Sequence, residues 1–280
     1  WLAATLAAAR GLRQPRLAVL LGAPTAFGAF LHAGYLNYMF GLAGFFVFVA
    51  LRQRTTRMAP LARNALLAIA GLALALTHIV AFVAAGLFLA AEHLAQLLPS
   101  SDDPTRPGLT ARCAEIGRQL AALAPALGLV LAFVVTMRGQ IPVSEVPHQA
   151  WPAGLKSLLT AGHLFSFQPL EVLWVGPHAA VMLAGLVLVC RMRRQPWSPL
   201  SRQWATFTAL ALGLTFLELR SDQGVSLSER MVPLVWAGWA FTVAARLPQQ
   251  SSAPHASGMR WLLAVAWVSL AGQCATRIDA

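Results

Sequence analysis

The sequence is short of charge. Only 11% of its 280 residues are Asp, Glu, Lys or Arg, and 58% are apolar, whereas a soluble protein carries about 25% charged residues. With a mean hydropathy of +0.63, the composition excludes an ordinary water-soluble domain. Carboxylates are scarcer still, ten against 21 basic residues, for a net charge of +11. Such a surplus suits nucleic acid, but here the basic residues fall in short clusters between apolar segments, as the positive-inside rule expects. No basic face or base-stacking platform is legible, so nucleic acid is excluded as a partner. Lysine is almost missing: Lys156 stands alone among arginines, a coding bias to which no function attaches. Cysteine is sparse, and Cys113, Cys190 and Cys274 share no CxxC or CxH spacing. That argues against a disulfide framework or a zinc site and for small apolar fillers. Walker A, GxGxxG, HExxH and regular heme-ligand patterns are also absent, which leaves ATP hydrolysis, nucleotide cofactors and zinc proteolysis without support.

What is present is a series of apolar runs of about 16 to 19 residues, near the length that crosses a bilayer as a helix. The fold class expected is all-α: a polytopic transmembrane bundle. Nine spans are read, at roughly 17–33, 35–51, 62–77, 79–97, 119–137, 172–190, 203–219, 231–246 and 261–276. The first four form two tight hairpins.

Counting basic residues orients them. One side receives Arg10, Arg13, Arg16, Arg52, Arg54, Arg57, Arg63, Arg106, Arg112, Arg118, Arg191, Arg193, Arg194, Arg202, Arg246 and Arg260. The other receives Arg138, Lys156, Arg220, Arg230 and Arg277. The first side is therefore predicted to be cytoplasmic.

Residues 98–118 read as a plain cytoplasmic loop, and residues 246–260 as a cytoplasmic linker. Residues 138–171 form the largest external loop. Within it Trp151, Leu155, Leu158, Leu159 and Phe165 recur at helical spacing after Pro152, predicting a short interfacial helix. The chain begins at Trp1, and WLAATLAAARGLRQPR reads as a helix tail entering a basic loop, with no signal-peptide n-region. Residues 1–280 are thus expected to be one transmembrane domain, a fragment lacking upstream spans.

Polar residues at membrane depth are costly and usually face a cavity or a partner. His32, Tyr35 and Asn37, in FLHAGYLNYMFGL, fall at the external tip of the first hairpin; Thr77 and His78, in LALALTHIVAF, fall at the tip of the second. His148 and His163 lie in the external loop, and His178 lies about two turns inside the sixth span. Two readings stand for the tips: caps that satisfy the backbone of tight turns, or the lining of a shared external cavity. Tyr35 and Tyr38 also suit an aromatic belt. Glu145 with His148 makes a weak acid–base pair, and Asp222, Glu229 and Arg230 sit just before the eighth span. Arg230 could meet a lipid phosphate or simply snorkel at a helix start. Glu92 and His93 fall near the cytoplasmic interface, where Glu92 facing the Arg52–Arg63 loop is a plainer reading than a proton relay.

GYLNYMFGLAGFFVFVALR followed by LTHIVAFVAAGLFLAAEHL resembles a recurring pair in bacterial polytopic proteins of the GT-C glycosyltransferase type, and GLKSLLTAGHLFSFQPLEVL and SERMVPL are similar to their external loop and Arg-Pro step. The resemblance implies an inner-membrane, multi-pass enzyme moving a sugar from a polyprenyl-phosphate carrier to an acceptor on the external face. An acid would act on the acceptor hydroxyl. Cationic groups or a divalent metal would stabilise the leaving phosphate, and no other cofactor is implied. The key acid of such enzymes lies in a loop upstream of Trp1. On this resemblance His32, Tyr35, Asn37 and His78 line the acceptor or sugar site, Lys156 and Arg230 contact carrier phosphate, and Glu145 and Asp222 are reserve acids. Membrane lipid and the lipid-linked sugar are the expected partners. Two alternatives stay open: a transporter or flippase of lipid-linked glycans, for which LLGAPTAFGAF and Pro177 supply helix breaks, and a non-catalytic membrane subunit.

Overall fold

Three helices open on proline, whose fixed φ and missing N–H suit a first helical turn. They are α2 (Pro15–Gly22), α4 (Pro60–Thr77) and α9 (Pro199–Leu214). Ser198 caps α9, its hydroxyl accepting from the Ser201 N–H at 3.1 Å. The remaining helices are α1 (Leu2–Ala9), α3 (Leu36–Arg54), α5 (Ile79–Leu97), α6 (Leu109–Met137), α7 (Ala153–Leu159), α8 (Val172–Arg191) and α10 (Leu227–Arg246). The computed structural model describes residues 1–26, 35–97, 108–137, 153–159, 172–191, 197–216, 227–247, 261, 263–269 and 271–272. Among the described residues there is no strand, so the all-α expectation is met.

Among the described residues five helices are long and apolar enough to cross a membrane: α3, α4, α5, α6 and α8. They correspond to the second, third, fourth, fifth and sixth predicted spans. The first predicted span begins as α2 and passes at Gly22 into a 3-10 turn, Ala23–Ala26, around Pro24; its remainder lies outside the described residues. The seventh and eighth are helical as α9 and α10, with Glu229, Arg230 and Arg246 in the latter. Of the ninth, residues 263–269 are helical. Within the stretch read as an interfacial helix, Ala153–Leu159 is helical as α7, while Trp151 and Phe165 lie outside the described residues.

One boundary differs. Residues 109–118 were expected in a loop, yet α6 begins at Leu109. The segment is polar but helical because its charges pair at helical spacing. Glu115 takes Arg118 at 2.8 Å and Gln119 at 3.0 Å, and Arg63 of α4 reaches it at 2.9 Å.

The core is an aromatic seam joining α3, α5, α9 and α10. Phe45 stacks on Phe207 with ring centroids 5.4 Å apart, Phe46 on Phe241 at 5.6 Å, and Trp204 lies 4.3 Å from Phe241 and 5.0 Å from Phe88. All six rings are fully buried. Lipid tails are as apolar as these side chains, so close packing rather than transfer from water is what holds such helices together. Gly238 lets α10 approach α9: a Cβ there would stand 2.7 Å from Thr208 Oγ1. Helix α6 packs mainly on α4 and leaves Leu120, Leu127, Leu131, Phe133 and Val135 exposed, the surface a bilayer core accepts.

Where α2 breaks, its Leu21 carbonyl accepts from two buried side chains, His178 Nε2 at 3.0 Å and Trp236 Nε1 at 3.2 Å. His178 of α8, adjacent to Pro177, is wholly buried. Its place in the sixth span is thus a structural one.

At the arginine-rich end of α3, Arg52 grips Glu92 of α5 through Nε at 3.0 Å and Nη2 at 2.5 Å. Side-chain exposures are 7% and 21%. His93 pairs with Gln119 at 3.0 Å. The plainer reading of Glu92, as a partner for the arginines, is the one the geometry favours. Removing one member strands the other, so Glu92→Gln is expected to destabilise the protein by up to about 3 kcal/mol. Arg52→Met with Glu92→Leu together should cost less than the sum of the single changes. Unfolding of the detergent-solubilised variants measures this, and strict additivity would sink the pairing.

Candidate functional site

The opposite end of α3 explains the polar residues of GYLNYMFGL. On a helix, positions 38, 41, 42 and 45 share one face, while 37 and 40 turn away. Tyr38, Gly41, Leu42 and Phe45 are accordingly buried, and Asn37 and Phe40 are exposed. Gly41 is required by its neighbour: a Cβ there would stand 2.8 Å from the His78 Cβ.

His78 separates α4 from α5. Its backbone is extended, with φ −167° and ψ 125°, and its N–H still bonds Leu74 O at 2.8 Å. Its Nδ1 accepts from the Val80 N–H at 3.2 Å, which caps α5. Since Nδ1 accepts, the ring proton sits on Nε2. The turn-capping reading therefore holds for His78. The imidazole also meets Tyr38 edge-on, with centroids 5.3 Å apart. The two hairpin tips touch, something no reading of the chain alone could settle.

A third element completes the group. Arg230, in the first turn of α10, lies over the Tyr35 ring with Cζ 5.7 Å from its centroid. The Tyr38 hydroxyl donates to the Arg230 main-chain oxygen at 2.5 Å, across 192 residues of sequence. Arg230 Nε is shielded from solvent and finds no hydrogen-bond partner among the described residues. Burial first, and then the Arg230 charge, hold the half-buried His78 imidazole down to about 4. At neutral pH the cluster thus contains a neutral imidazole and one guanidinium.

Of the residues expected to form a site, Tyr35, His78 and Arg230 come together. Asn37 is one position off the buried face. Lys156 is exposed on α7, a helix that lies against α10 through Leu158. His32, Glu145 and Asp222 lie outside the described residues, as do His148 and His163. Tyr38 was not among the residues assigned to the site; the signal that marks it is Gly41, three positions on and on the same face, a gap cut for another chain segment. Among the described residues no group of three or more His, Cys, Asp or Glu gathers as a metal site.

The site and fold define a helical protein, with helices suited to a membrane, that gathers an aromatic pair, a histidine and an arginine at one end. Compared with known proteins, the chain matches no family model, no curated protein and no solved structure.

The depressed His78 sets a pH dependence. The unfolded imidazole takes a proton near 6.5, the folded one only near 4. The folded state should therefore lose stability as pH falls from about 6.5 towards 4, and be insensitive to this group above that window. Thermal unfolding of wild type and His78→Gln across pH 4 to 8 checks it. The two profiles should diverge below about 6.5; parallel profiles would show that His78 titrates normally.

Proposed function

We propose that the chain is part of a multi-pass protein of a bacterial inner membrane, with about nine spans, that binds a phosphate-bearing polyprenyl lipid where Tyr35, His78 and Arg230 meet. The reading follows the resemblance to GT-C-type enzymes: the sugar on that lipid passes to an acceptor at the external face. By the basic-residue count, the cluster lies at the external ends of α3 and α10 and at the α4–α5 turn, with Arg52 and Glu92 on the cytoplasmic side. Glu92 is 14 residues below His78, roughly 20 Å along α5.

One observation carries this reading. Three elements remote in sequence converge on Arg230, whose Nε is shielded and unbonded among the described residues. A half-buried guanidinium held on an aromatic face, with its Nε shielded, suits a phosphate oxygen, which accepts its N–H groups in a charge-assisted bond. In transfer, the acceptor oxygen bonds the anomeric carbon as the carbon–oxygen bond to phosphate breaks. The acceptor proton goes to a carboxylate, with Glu145 and Asp222 the candidates in this chain. Arg230 stabilises the negative charge that the departing phosphate gathers. His78, neutral with its proton on Nε2, serves as a donor to a sugar or acceptor hydroxyl.

The flippase or transporter alternative has its own support in the break of α2. There a helix end inside the bundle offers its Leu21 carbonyl to His178 and Trp236. That carbonyl is already occupied twice over, which favours a structural break. A non-catalytic membrane subunit is the remaining alternative.

The test uses membranes containing the protein and a radiolabelled sugar on polyprenyl phosphate. Transfer should fall at least about tenfold in Arg230→Gln, equivalent to one lost charged hydrogen bond. It should fall less in His78→Ala and stay unchanged in Asn37→Ala. Equal transfer by all variants would refute the site. Binding of the lipid without transfer would leave the anion site and remove the enzyme.

A further inference from the structure

We infer that Tyr38 is a positioning residue, whose hydroxyl fixes the Arg230 guanidinium by holding the main chain of α10 where Pro233 interrupts it. The inference rests on the reading of Arg230 as an anion-binding group.

Pro233 lies inside α10, one turn after Arg230. Having no N–H, it leaves the Glu229 carbonyl without its helical donor, and its ring crowds the turn before it. The first turn of α10 is thus weakly held by its own helix. The next carbonyl of that turn has a donor from outside the helix: the Tyr38 hydroxyl, 2.5 Å from the Arg230 oxygen.

Tyr38 is itself rigid. Its side chain is 2% exposed, its ring packs on His78, and it stands one turn before Gly41, where His78 sits against α3. Two elements, α3 and the His78 turn, therefore fix the phenol, and the phenol fixes the α10 turn. Arg230 then lies over Tyr35, the helix-start residue of α3, three positions before Tyr38. One tyrosine faces the guanidinium and the other holds its backbone.

The test reads the guanidinium with and without lipid, in the purified full chain. The variants are Tyr38→Phe, which keeps the ring, Arg230→Gln, and Phe207→Leu as a destabilised control in the aromatic seam. Without lipid, phenylglyoxal labelling is followed on the peptide that contains Arg230. Labelling should be several-fold faster in Tyr38→Phe than in wild type or Phe207→Leu. With a long-chain polyprenyl phosphate in dodecyl maltoside micelles, Tyr38→Phe should bind about tenfold more weakly than wild type. Phe207→Leu should bind normally despite a lower unfolding temperature. Binding by Tyr38→Phe should stay salt-sensitive, because Arg230 keeps its charge; residual binding by Arg230→Gln should lose part of that sensitivity. Unchanged labelling of Arg230 in Tyr38→Phe overturns the inference whatever the lipid does. So does an equal loss of affinity in Phe207→Leu. If wild type does not bind the lipid at all, the polyprenyl-phosphate reading fails, and the labelling still decides the role of Tyr38.

Discussion

A chain with this little polar surface has to satisfy its backbone from within. In an apolar surrounding each unpaired N–H or C=O costs several kcal/mol, so every interruption of a helix demands a side chain. Two interruptions at the heart of the fold receive one or more directly, and a third is tethered beside the break. The end of α2 gives its Leu21 carbonyl to His178 and Trp236. The break between α4 and α5 is closed by His78, which supplies Nδ1 to the Val80 N–H. The turn of α10 before Pro233, where the carbonyl freed is that of Glu229, is tethered one residue on, by Tyr38 at the Arg230 carbonyl. The side chains that do this are the very polar residues that look out of place in an apolar sequence.

The aromatic seam decides where those interruptions meet. Phe45 and Phe46 of α3 stack on Phe207 of α9 and Phe241 of α10, which fixes α3 against α10 through the bundle's centre. Tyr38 stands seven and eight residues before those rings, two turns along the same face of α3. With the seam in place, its hydroxyl arrives at the first turn of α10. Gly41 and Gly238 allow the approaches on either side, since a methyl at each would strike His78 or Thr208. The cluster at one end is therefore a consequence of packing in the middle.

Much of this was legible in the chain. Of the nine spans read from the apolar runs, five correspond to helices that, among the described residues, are long and apolar enough to cross a membrane, because period and length are local properties. The polar tips were legible as oddities, and Tyr35, His78 and Arg230 were singled out separately. Their meeting was not legible, since it depends on contacts across 192 residues. Tyr38 was undervalued for a physical reason: an interfacial tyrosine needs no partner, and only the neighbouring glycine hints that another element comes close. The start of α6 was misread because TARCAEIGRQ is polar. Its Glu115 is served by Arg63, Arg118 and Gln119, a pattern visible at helical spacing once Arg63 is known to be near.

The two ends of α3 treat their arginines differently, and the difference bears on function. Arg52 is met by a bidentate carboxylate, so its charge is spent within the protein. Arg230 is met by the ring of Tyr35, which favours a cation without neutralising it. Beside it His78 is kept neutral by burial and by Arg230 itself, so the cluster gains no second cation as pH falls through the physiological range. Among the described residues Arg230 is the one cation of this cluster, and its place on an aromatic face beside a neutral hydrogen-bonding ring supports the anion-binding role proposed for it. The lower end holds the helices together. The upper end, built from groups that satisfy the backbone, leaves one charge that the backbone does not need.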